Sequence, residues 1–131
     1  MDGFGFGDVA NSKVEMGMTQ HSVVVQFYDF ADKFWTEESQ SLDALHALED
    51  ELTGALDGQE VGELDGHEIA VDGSDGFVFL YGPDADALFA AIEPVLRKSP
   101  VTSGADATLR YGEPDEADLK QRVVRIDQTT H

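Results

Sequence analysis

The sequence predicts a single α+β domain, a small sheet with two amphipathic helices, and three stretches carry that reading. Residues 67–98 run strand, turn, strand, helix: His-Glu-Ile-Ala-Val, then Asp-Gly-Ser-Asp-Gly, Phe-Val-Phe-Leu-Tyr, and a segment from Asp84 with Leu88, Phe89, Ile92, Val95 and Leu96 on one helical face. Residues 22–28 form a β-branched and aromatic run suited to a strand. Leu42, Leu45, Leu48, Leu52 and Leu56 recur at helical spacing in a segment that Ser39 or Ser41 can cap and Asp57-Gly58 can end.

Taken in order, residues 1–20 are Gly-rich and unperiodic and read as an N-terminal arm that could dock through Phe4 and Phe6; residues 21–131 form the domain. In the first strand, Val23, Val25 and Phe27 share one face, and Val24, Gln26 and Tyr28 the other. Residues 29–36 hold Phe30, Phe34 and Trp35 in a loop or short turn, where aromatics lock a loop to the core or line a ligand pocket. After the leucine helix, residues 59–66 are an acidic connector. Phe77 to Tyr81 are apolar on both faces, which predicts a central strand. Asp84 is a good N-cap for the second helix. Pro94 should kink that helix without ending it, because Val95 and Leu96 continue the apolar face, and it should stop before Pro100. Residues 105–111 and 121–126 are the last strands, the final one at an edge because of its basic residues.

The order β-α-β-β-α-β plus one extra C-terminal strand suggests a ferredoxin-like two-layer sandwich, with a mainly antiparallel sheet and both helices on one face. Right-handed crossovers would set the first and third strands side by side. Such an architecture hosts enzymes, regulators and binding modules alike, so function has to come from particular residues.

Charge is the extreme feature. The formal net charge is −19; residues 1–96 carry 21 of the 27 acids against only Lys13 and Lys33, while residues 97–131 carry six residues of each sign. A surface this negative repels nucleic acid, whose binding rests on phosphate neutralisation. The acidity fits either a solubility or high-salt adaptation or a surface aimed at a basic partner. The absence of cysteine excludes disulfides, thiolate metal sites and cysteine nucleophiles; the cytoplasm is the default location, and a zero count is also compatible with export. No run of apolar residues approaches a membrane span, and the first residues lack the regions of a secretory signal.

Motifs for chemistry are missing: there is no Gly-x-Ser-x-Gly, no phosphate-binding Gly-x-x-x-x-Gly-Lys and no His-Glu-x-x-His. The four Asp-Gly pairs lack the alternating pattern of a calcium loop and read as turns. His46 and Asp50, four apart on the exposed helix face, make at most half a metal site, so no metal or other cofactor is expected. If the turn closes Val71 on Phe77, then Ile69 opposes Phe79 and His67 opposes Tyr81 on the helix-facing side, where Trp35, His67 and Tyr81 could border a pocket. The same register puts Val24, Val78 and Leu80, with Arg110 on their rim, on the other face as an association surface. Asp43, Asp50 and Asp57, spaced by seven, and the neighbouring Glu49 form an acidic stripe on the first helix. The expectation is therefore a non-enzymatic binding or regulatory module, such as an inhibitor of a basic protein, or a homodimer. The alternative is a cofactor-independent enzyme or small-ligand-binding dimer with a pocket between sheet and helices. No membrane or nucleic-acid partner is expected.

Overall fold

The valine-rich first strand takes the middle of a five-stranded sheet. A computed structural model describes residues 20–112 and 119–127. In chain order the elements are β1 (His21–Phe27), α1 (Phe30–Phe34), α2 (Asp43–Leu56), β2 (Glu63–Ile69), β3 (Gly76–Gly82), α3 (Ala85–Lys98), β4 (Asp106–Arg110) and β5 (Gln121–Arg125). The sheet order is β2-β3-β1-β4-β5 and every neighbouring pair is antiparallel. The first and third strands are adjacent, as expected. The arm expected to dock through Phe4 and Phe6 lies outside the described residues.

One face of the sheet is covered by α2 and α3. Val23, Val25 and Phe27 of β1, Val78 and Leu80 of β3, and Ala107 and Leu109 of β4 meet Leu45, Leu48, Leu52 and Leu56 of α2 and Leu88, Phe89, Ile92 and Leu96 of α3. The two-layer α+β arrangement thus follows from period-two patterning in β1 and helical patterning in α2 and α3. Asp84 caps α3 as its position requires: its carboxylate accepts from the backbone N–H groups of Asp86 (3.0 Å) and Ala87 (3.4 Å). The helix continues through Pro94 to Lys98.

Two expectations about the hairpin fail together. Strand β2 begins at Glu63, inside the segment read as a connector, and ends at Ile69. Its partner positions are Ile69 with Gly76, His67 with Val78 and Glu63 with Tyr81, with a bulge between Leu64 and Gly66. Val78 and Leu80 are therefore fully buried beneath the helices instead of lying on an association face, while Phe77, Phe79 and Tyr81 are half-buried on the open face. The reason is local. Both faces of β3 are apolar, so its own pattern cannot choose; β1 chooses, because Val23 pairs with Leu80 and Val24 with Phe79. Gly76 fits this register because the Phe27 ring occupies the place where a Cβ would stand.

The open face consists of three cross-strand rows. From the β2 edge to the β5 edge they read Glu63, Tyr81, Ser22, Arg110, Gln121; then Gly66, Phe79, Val24, Thr108, Val123; then Glu68, Phe77, Gln26, Asp106, Arg125. No helix among the described residues is long and apolar enough to cross a membrane.

Candidate functional site

Trp35, His67 and Tyr81 do not meet in a pocket between sheet and helices. Trp35 serves the loop: its ring packs edge-on against Phe30 at 6.3 Å and its Nε1–H donates to the Ser41 carbonyl at 2.9 Å. It also lies over Gly73, whose φ of +74° and tight surroundings leave no room for a side chain. The N–H groups of Phe30 and Ala31 donate to the carbonyls of Ser74 and Gly73 at 3.0 and 2.7 Å, so the short helix α1 clamps the β2–β3 loop. His67 projects to the helix side, where Nδ1 lies 2.9 Å from a Glu49 carboxylate oxygen and the ring is 6.0 Å from that of His46. Tyr81 stands on the opposite face of the sheet. The spacing that suggested a His46–Asp50 pair instead turns His46 toward β2, and no group of three or more metal-ligating side chains converges among the described residues.

The groove that does adjoin His67 and Tyr81 is open. It measures about 420 Å³ and runs along Asp65, Gly66, His67, Glu68, Phe79 and Tyr81, where the bare backbone of Gly66 lowers the floor of the sheet face. A second groove, also about 420 Å³, lies between α2 and α3 at Glu51, Ala55, Pro94, Val95 and Lys98.

The acidic stripe is divided. Asp43, Asp50 and Asp57 are exposed, and none has an ion-pair partner among the described residues, whereas Glu49 is half-buried against His67. Three of the guanidinium groups work elsewhere. Arg97 pairs with Glu93 at 2.9 Å, Arg122 approaches Asp86 at 3.7 Å, and Arg125 holds Asp106 at 2.7 Å. Asp106 also accepts from the Tyr28 hydroxyl at 2.7 Å. That hydrogen bond first, and Arg125 second, hold the Asp106 carboxyl below the usual carboxylate range; the same bond pushes the Tyr28 phenol up.

Of the residues expected on an association face, Val24 and Arg110 are there. Val24 is 9% exposed at the centre, and Arg110 is half-buried with its Nε enclosed and without a hydrogen-bond partner among the described residues. Sequence reasoning missed Phe77, Phe79 and Val123 on this face. The pairing of Val24 with Phe79 and of Thr108 with Val123 brings them there, and nothing local to those residues signals it. Compared with protein-family models, with curated proteins and with solved structures, the chain matches none.

Proposed function

We propose that the chain is a non-catalytic, acidic protein-binding module that presents α2 and the connector into β2 to a basic partner. One observation carries this reading: among the described residues Arg97, Arg122 and Arg125 form their ion pairs on the α3–β4–β5 side, while Asp43, Asp50 and Asp57 on the α2 side are exposed with no ion-pair partner. Carboxylates seven residues apart on a helix are about 10 Å apart along its axis. At physiological ionic strength the Debye length is about 8 Å, so they repel one another little and cost the fold little. A basic surface would still meet all three at once and be steered to them. An inhibitor of a basic enzyme fits that description. The order β2-β3-β1-β4, with both long helices on one face and β5 added outside β4, supports a ferredoxin-like assignment, which is neutral as to activity.

The experiment is affinity capture from native lysate at low salt, followed by association kinetics of the captured protein with the wild type and with Asp43→Asn/Asp50→Asn/Asp57→Asn. The triple variant should associate on the order of tenfold more slowly, with a flatter salt dependence and an unchanged melting temperature. Association at the wild-type rate and salt slope would reduce the stripe to ordinary solvation.

A further inference from the structure

The open sheet face has an aromatic and aliphatic middle, Glu63 and Glu68 at the β2 edge and Arg125 at the β5 edge. We propose that it is the interface of a homodimer, in which two copies pack sheet to sheet about a two-fold axis parallel to β1.

Geometry selects that axis. A two-fold lying between facing sheets and running along the strands reverses the strand order, so β2 of one copy covers β5 of the other, and each cross-strand row covers itself. Val24 then meets its own copy at the centre. Val123, 60% exposed in the single chain, lies over Gly66 of the partner, where the missing side chain leaves the groove beside Phe79. Glu68 and Arg125 stand at opposite ends of one row and become neighbours across the interface, twice over; Arg125 holds Asp106 of its own chain through Nε, which leaves its terminal guanidinium nitrogens to face Glu68. Arg110 lies over the partner's Tyr81, whose hydroxyl and ring can receive the guanidinium whose Nε is enclosed without a partner among the described residues. The other facing two-fold, at right angles to the strands, sets the acidic β2 edge on itself and is disfavoured.

Aligned sheets pack at about 30° to each other, which displaces an edge strand about 10 Å from the axis by only about 5 Å, within reach of Arg and Glu side chains. Five strands spaced by about 4.8 Å and five to seven residues long give a projected face of about 500 Å² per copy. Two such faces reach the range of specific interfaces, since accessible area exceeds projected area on a corrugated surface. The interface faces away from α2, so each copy keeps its acidic helix outward.

Sedimentation of the full chain over a concentration series tests the proposal. The expected mass is that of two chains. Val123→Arg should yield a monomer with the melting temperature of dilute wild type, because the site is already exposed in one copy. Glu68→Arg and Arg125→Glu should each weaken dimerisation on the order of 100-fold, since each homodimer then faces two like-charged pairs. Mixing the two variants should restore a dimer near wild-type affinity, as both cross-interface pairs become complementary. Mixing changes nothing inside either protomer, so a folding defect cannot imitate the rescue. A monomeric full chain at every concentration up to roughly 100 µM would overturn the proposal and give the face to residues 1–19 or another protein. A dimer indifferent to Val123→Arg, or variants that stay apart when mixed, would overturn it as well.

Discussion

Leu80 and Phe79 are sequence neighbours on opposite faces of β3, and truncating each in turn tests the whole arrangement. Leu80 is fully buried, paired with Val23 on one side and Leu64 on the other, under the helices. Leu80→Ala removes three carbons, about 2.4 kcal/mol of transfer free energy at about 0.8 kcal/mol each. A cavity contribution at about 24 cal/mol per Å³ adds to this because neighbours on three strands cannot collapse inward, for a total of about 3–4 kcal/mol. At roughly 2.1 cal/mol/K per residue, a chain of this length has an unfolding entropy near 0.28 kcal/mol/K, so the melting temperature should fall by about 11–14 °C. Phe79 is only half-buried in one copy, and at low concentration Phe79→Ala should cost about 1–2 kcal/mol, or about 4–7 °C. Calorimetry on both variants over a range of concentrations reads the difference. If Phe79→Ala is as damaging as Leu80→Ala in dilute solution, the helices cover the other face and the register is wrong. If its cost grows with concentration, the open face is being buried by association.

Two further variants test the same structure. Asp106→Asn removes a carboxylate whose proton affinity is lowered by the Tyr28 hydroxyl and then by Arg125, so its contribution is present above about pH 4 and lost as pH falls through the lower folded value; urea titrations should show a deficit at neutral pH that shrinks in acid. In the same variant the phenolate absorbance of Tyr28 should rise at lower pH than in wild type, since the bond that raised it is gone. Gly73→Ala would place a Cβ 2.6 Å from Trp35 and 2.8 Å from Ala31 at a φ of +74°. It should cost roughly 1–3 kcal/mol and shift the emission of the only tryptophan; unchanged emission and stability would mean the clamp on this loop is not there.

Most elements were legible because their patterns are single-valued. The leucines of α2 repeat at one period, and the Asp84 cap and the apolar stripe of α3 agree with each other. The face of β3 was not legible, because Phe77-Val78-Phe79-Leu80-Tyr81 offers two apolar sides and register alone decides between them. Strand β2 lies N-terminal to the expected 67–71, at Glu63–Ile69; its start was not legible because Glu63, Asp65 and Gly66 look like connector, and they are the exposed edge and its bulge. The open-face surface inherited that error: Val24 and Arg110 follow from β1 and β4, but Val78 and Leu80 stood in for Phe77 and Phe79.

The central position of β1 sets a timing problem for the ribosome. This strand, Ser22-Val23-Val24-Val25-Gln26-Phe27, is made before either of its neighbours, β3 at residues 76–82 and β4 at residues 106–110. At about 5–20 residues per second, several seconds separate it from its second partner. Throughout that interval a six-residue segment rich in β-branched residues is exposed, the kind that stacks with its own copies. What emerges next is Asp29, Asp32, Glu37 and Glu38, and then the acidic helix, with only Lys33 to offset them before Arg97. Nascent chains would repel one another while the strand waits, and part of the negative charge would then serve during synthesis, before any surface exists to be recognised.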